Sequence, residues 1–232
     1  MSDISRAREI LRTVTLYRRK GDAAARRGQD EEAKNAWSTG LSRSDEVFDV
    51  LSIPRAVEID QAQSVDRDVA AEAAELLGVR GGLLHRLGRA RDALESYRNG
   101  AVWEKAHNLT QTYNRMNAIK RALIVGDRTV AELQDKLVEL RDALEGRLST
   151  DERAADDAWV WADLGDVRLL LGDDQGAESA YRDFVDKATT GSPLSTLAVL
   201  REIVGALDAH GDADAARTAA SLEKVETMIG AR

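Results

Sequence analysis

The sequence predicts an all-α protein made of repeated helical hairpins, and three observations predict it. Five times a Gly is followed, five residues later, by an Ala inside a helix-like stretch: Gly28/Ala33, Gly88/Ala93, Gly126/Ala131, Gly172/Ala177 and Gly211/Ala216. Gly permits the positive φ that ends a helix, and a small residue early in the next helix lets the preceding one pack close. Five such pairs in phase with helical patterning mark a repeat array. Only Pro54 and Pro193 interrupt the 232 residues, which leaves long stretches free to be helical. Hydrophobic residues make up 43 % and charged residues 32 %, with aromatics at 4 %, whereas a β-sandwich would carry more β-branched and aromatic alternation.

Phased on the turn glycines, the first unit places Tyr17, Gly21, Ala24, Gly28, Ala33, Trp37 and Leu41 at gaps of 4, 3, 4, 5, 4 and 4. The second repeats those gaps with Leu77, Gly81, Leu84, Gly88, Ala93, Tyr97 and Ala101, and the fourth with Trp161, Gly165, Arg168, Gly172, Ala177, Tyr181 and Val185. Such spacings put residues on one helical face, so each helix carries a stripe that a neighbour covers. The third unit has Ile119 and Asp135 at the Gly and aromatic positions, and the fifth has Val204 and Ala220. The expected units are about 3–52, 64–104, 108–148, 151–188 and 193–230 of one domain, 1–232, with an irregular linker at 53–63. Leu51-Ser52-Ile53-Pro54 breaks a helix, and Asp66 onward reads as helix again, with Val69, Ala73, Leu76 and Leu77 on one face. Gly78 and Gly82 predict a weakened helix that kinks or opens locally. Thr150 or Asp151 is expected to start the fourth unit, and Ser192-Pro193 the fifth, as an N-cap followed by Pro at the first helical position.

These residues resemble the tetratricopeptide repeat family. Trp161-Ala162-Asp163-Leu164-Gly165 with Gly172, Ala177 and Tyr181 is the best match, and 83–97 is nearly as good. The Pro that closes each unit in the family is missing, and the turn glycines are roughly 60, 38, 46 and 39 residues apart, against about 34 in the family. The resemblance implies about five antiparallel helix pairs wound into a right-handed α-solenoid. A shorter stretch, Tyr113-Asn114-Arg115-Met116-Asn117-Ala118-Ile119-Lys120, resembles the Tyr/Asn-bearing helix of TRAF-binding-type bacterial repeats.

Chemical motifs are missing. The chain has no Cys, which excludes disulfides and thiolate chemistry. Gly78-Val79-Arg80-Gly81-Gly82 lacks the Lys-Ser/Thr of a phosphate loop. His85, His107 and His210 stand apart without the further ligands a metal motif needs. Asp156-Asp157 and Asp173-Asp174 lie near predicted helix starts, where the helix dipole favours carboxylates as caps. The reading is a non-enzymatic protein without cofactor or metal. No secretory signal and no membrane span is evident, so a cytoplasmic location is expected.

What remains is a surface. The net charge of −8 disfavours general nucleic-acid binding, but Ile4–Arg27 and Arg80–Arg121 are basic and suit an acidic protein or peptide partner. In the family, first helices line the groove. Here that implies Arg18 and Arg26 from the first unit, with Asp22 beside them. It also implies His85 and Arg86, with Glu75 and Gly82, from the second, and Tyr113, Asn117 and Lys120, with Arg121 at the edge, from the third. The later units would add Trp159, Ala162, Asp166 and Arg201. Arg and Asn would grip carboxylates and amides, with Tyr113 and Trp159 as aromatic anchors. The alternative is a structural or regulatory subunit of a larger bacterial, defence-type complex, or a self-associating module, with Ile4, Ile10, Leu11, Val199 and Leu200 as contact surface.

Overall fold

The turn glycines organise the chain as expected. In the computed structural model, which describes residues 2–189 and 192–230, all five adopt positive φ, between 67° and 80°. Each closes a helix by the same pair of bonds: at Gly28, its N–H reaches the Ala25 carbonyl at 2.9 Å and the Gln29 N–H reaches Ala24 at 3.0 Å. The described residues form twelve α-helices, one 3-10 turn and no strand. The helices are α1 (Asp3–Arg26), α2 (Asp30–Leu51), α3 (Ile59–Gln63), α4 (Arg67–Arg86), α5 (Ala90–Ala106) and α6 (Tyr113–Ile124). After the 3-10 turn (Ala131–Leu133) follow α7 (Gln134–Thr150), α8 (Glu152–Asp156), α9 (Ala158–Leu171), α10 (Asp174–Lys187), α11 (Ser192–Ala209) and α12 (Ala215–Gly230). The protein is all-helical. It divides into two compact units, Met1–Arg121 and Ala122–Arg232, and the division falls within α6, in the hairpin that carries Ile119 and Asp135 at the Gly and aromatic positions.

In the first unit α1 pairs with α2 and α4 with α5, and α4 also touches both α1 and α2. Gly21 lies under the Trp37 ring and Gly81 under Tyr97, so close that an added Cβ would come within 2.3 Å and 2.7 Å of ring atoms. The Gly is therefore a packing requirement: only a bare Cα leaves room for the ring of the second helix. Ala33 and Ala93 are buried, as their close-packing role demands. A core of Leu11, Val47, Phe48, Leu76, Leu77 and Trp103 continues into Ile53, Val57 and Ala62. Residues 53–63 are therefore not wholly irregular: Ala62 is fully buried in the short α3, and the capping box between Glu58 and Gln61 satisfies that helix's first N–H groups. Helix α4 runs unbroken through its glycines, because Tyr113 and Asn114 pack against Gly78 and Tyr97 against Gly81.

In the second unit α9 and α10 form a hairpin that touches α7 and α12, and α11 pairs with α12. Gly165 repeats the device under Tyr181, and Ala177 is buried. The Ala rule fails twice. Ala131 is exposed because the chain there makes a 3-10 turn that sends Val130 and Leu133 inward. Ala216 is exposed because α12 starts only at Ala215, so Thr218, Ser221 and Leu222 take the inner positions. The fourth unit starts with two helices instead of one: Asp151 caps the short α8, and Asp157 caps α9 by accepting the Trp159 N–H at 3.0 Å. Asp173 caps α10 in the same way. Helix α11 begins at Ser192. Leu11 and Leu200, expected as contact surface, are 3 % and 1 % exposed and belong to the interior, and Ile4 and Ile10 pack against the same core as Leu11.

Candidate functional site

Two hairpins bring polar groups together at equivalent places. Six residues before the turn Gly stands Asp22 in the first hairpin and Asp166 in the fourth, each fifteen residues before the aromatic of the second helix. Trp37 Nε1 donates to Asp22 Oδ1 at 3.0 Å. The Tyr181 hydroxyl donates to Asp166, and burial followed by that carboxylate raises the tyrosine well above its ordinary pKa. Neither carboxylate was legible as a partner of its ring, although the shared fifteen-residue spacing is a signal that could have found both.

The second hairpin differs. The equivalent position is Gly82, beneath Tyr97. Arg86 reaches across to α1, donating from Nε to Asp22 Oδ1 at 2.6 Å and from Nη2 to Asp22 Oδ2 at 3.1 Å, with Nη1 on the Gly82 carbonyl at 3.0 Å. From α6, Arg121 Nη1 lies 2.9 Å from His85 Nδ1. A guanidinium can only donate, so Nδ1 accepts and the imidazole proton sits on Nε2. Tyr97 and Tyr113 meet edge to face with centroids 6.0 Å apart. Burial, and then Tyr113, whose side chain hydrogen-bonds it, push the Tyr97 phenol up, and Arg121 and Arg86 pull against that shift.

The residues expected on the groove face meet different fates. Arg18 is half-buried and Arg26 exposed. His85, Arg86, Tyr113 and Asn117 lie with them in the first unit, the Asn117 amide donating back to the Tyr113 carbonyl at 2.8 Å. Lys120 is 9 % exposed and Arg121 3 %, so both are inward-facing rather than groove-lining, since α6 turns these two positions toward the interior. Trp159 lies in the second unit, 54 % exposed and 5.9 Å from the Phe184 ring. Ala162 and Asp166 are buried, and Arg201 pairs with Glu226 at 2.6 Å.

Other polar clusters close helix ends. Glu104, 1 % exposed, accepts the backbone N–H groups of Asn114 and Arg115 at the start of α6 and the Asn114 amide at 2.8 Å. Burial raises its pKa and these bonds hold the rise back. Arg217 donates to the Leu169 and Leu170 carbonyls at the end of α9, while His210 Nε2 lies 3.4 Å from the Ile124 carbonyl at the end of α6. Among the described residues, no group of three or more His, Asp or Glu is placed to hold a metal ion, and no helix is long and apolar enough to cross a membrane.

Fold and contacts together define an all-helical protein whose described polar contacts close helix ends and lock hairpins. No protein-family model matches this chain, and no curated protein matches it. Among solved structures, the crystal structure of BtubC (BKLC) from P. vanneervenii is similar, at 15 % identity and a TM-score of 0.44, over 96 % of this chain and 91 % of that one.

Proposed function

We propose that the chain is a non-enzymatic protein–protein interaction scaffold of tetratricopeptide-like hairpins wound as a right-handed solenoid, which binds an acidic protein or peptide segment on the face of its first helices. One observation carries the reading. In the first unit α4 is joined by side chains to α1, through Arg86 and Asp22, and to α6, through His85 and Arg121. Of the cations in this unit, Arg86, Arg26 and the half-buried Arg18 reach solvent, as does the 46 % exposed Tyr113, whereas Arg121 is buried. A rigid face of this kind binds with little reordering.

The test is capture of partners from a lysate by wild type and by an Arg18→Glu/Arg26→Glu variant. These two positions hold no ion pair among the described residues, so reversing them leaves the fold intact, whereas reversal at Arg86 or Lys120 would disturb it. Loss of an acidic partner supports the reading; equal recovery by both proteins rejects it. A second reading, as a subunit of a larger bacterial complex or a self-associating module, is favoured by Trp159 and by Leu194, which is 68 % exposed, in the second unit. Light scattering of the purified chain, with a Trp159→Ser/Leu194→Ser variant beside it, tests self-association. A concentration-independent monomer rejects that form of the reading.

A further inference from the structure

Three carboxylates are buried among the described residues, Glu72, Glu104 and Asp166, and one of them is only half engaged. Glu104 uses both oxygens at the start of α6, and Asp166 takes the Tyr181 hydroxyl. Glu72, 5 % exposed in α4, accepts Arg8 Nε on Oε1 at 2.6 Å, while its Oε2 is buried without a hydrogen-bond partner. Such an atom has given up its bonds to water and marks a place where a donor belongs. Three residues further along α4 stands Glu75, which reaches solvent and makes no hydrogen bond or ion pair among the described residues. Burial, and then the Glu72 charge, raise the Glu75 pKa, with Arg8 opposing, so the two carboxylates face a common space. Asp68 acts on Arg8 as well. Three carboxylates thus converge on one guanidinium, which belongs to α1, is 55 % exposed and is held by a single ion pair.

The geometry points to a cation site on the first-unit face, in which a Lys or Arg side chain of a partner segment seats against Glu72 Oε2 and Glu75. The incoming ammonium or guanidinium supplies the donor that Oε2 lacks and relieves the repulsion between the two carboxylates. Glu75 marks the way in, since it reaches solvent where Glu72 does not. Arg8, exposed and singly held, shifts so that the new cation shares Glu72 with it. A metal ion fits less well, because no group of three His, Asp or Glu among the described residues is placed to hold one. The site also narrows the partner. Arg8 and Arg18 are ten residues apart on α1, about 15 Å. A segment lying along this face therefore carries its Lys or Arg about that far from the acidic residue that meets Arg18.

This inference rests on the reading of the first-unit face as a partner surface, but its test uses the purified chain alone. The probe is fluorescein-labelled octalysine, read by anisotropy in about 0.15 M sodium chloride, where exposed charges farther apart than about 8 Å are largely screened. Glu75→Gln and Glu72→Gln keep the side-chain shape, and each should weaken binding at least fivefold. The control is Glu152→Gln/Asp156→Asn in α8, two exposed carboxylates of the more acidic unit, and it should change binding less than twofold. Arg8→Ala frees Glu72 and should tighten binding at least fivefold. Arg12→Ala removes an equal charge from an exposed place on the same helix and should change binding less than twofold. A Glu75→Gln chain that loses no more affinity than the α8 control, or an Arg8→Ala chain that binds no more tightly than Arg12→Ala, overturns the site. If that happens while Arg18→Glu/Arg26→Glu still loses its lysate partner, the face stands and only this site falls.

Discussion

Gly21→Ala is the most demanding test of how the hairpins lock. The added methyl carbon would stand 2.3 Å from Trp37 Nε1 and 2.4 Å from its Cδ1, against roughly 3.5–4.0 Å for an ordinary carbon contact. The indole must therefore retreat by roughly 1 Å. That retreat breaks its 3.0 Å bond to Asp22, the carboxylate that also holds Arg86. Overpacking of this kind costs about 1–3 kcal/mol, and a hydrogen bond to a charged acceptor contributes about 1.5–3 kcal/mol. Against both stands the better helix propensity of Ala, worth about 1 kcal/mol. The net is a loss of about 1.5–5 kcal/mol, a fall of roughly 1–2.5 M in the urea midpoint at a typical slope. Gly146→Ala in α7 is the internal control, since its added Cβ meets nothing within 4 Å. It should gain up to about 1 kcal/mol. Equilibrium urea unfolding followed by tryptophan fluorescence reads both. If Gly21→Ala proves as stable as Gly146→Ala, the ring does not need the bare Cα and the packing argument fails.

Two further outcomes follow from the polar contacts. Tyr181→Phe leaves the 1 % exposed Asp166 without its hydroxyl donor and should lower stability by about 1–3 kcal/mol, read by thermal unfolding; an unchanged melting temperature would show that the pair contributes nothing. Glu104 is a carboxyl whose folded pKa is raised above its ordinary 4.5, chiefly by burial, so the folded state binds its proton more tightly than the unfolded state does. Its contribution to stability therefore declines as pH rises from that ordinary value through the raised one, and recovers on acidification. Glu104→Gln should flatten this part of the profile, measured as urea midpoints from pH 4.5 to neutrality, and an identical slope in the variant would contradict it.

The parts of the fold that could be read in advance are local in origin. A Gly at positive φ closes its own helix, so five turns stood out from the sequence by themselves. Two further ends use the same bonds without Gly: Ser52, within the Leu51-Ser52-Ile53-Pro54 break expected from the sequence, and Asn108 adopt φ of 52° and 47°, and the next residues, Ile53 and Leu109, reach back to Phe48 and Glu104. Asn108 ahead of an apolar Leu109 was a readable sign, since Asn tolerates the left-handed region. The first-helix cations could be named from the sequence, but not what each of them touches. Whether Arg86 meets Asp22 depends on two residues 64 apart in the chain. Whether Lys120 faces in or out depends on the rotation of α6, which Ile119 in place of Gly leaves unspecified by the repeat pattern.

Adjacent glycines in α4 now separate into two kinds. Gly81 is demanded by folding, because any side chain there strikes Tyr97. Gly82 is not: the space beside it admits a Cβ, and both sister hairpins fill it with a carboxylate that binds the second helix. A bare Cα in a helix interior costs about 1 kcal/mol relative to Ala, and the Tyr97 phenol takes the Tyr113 side chain as its partner in place of a carboxylate.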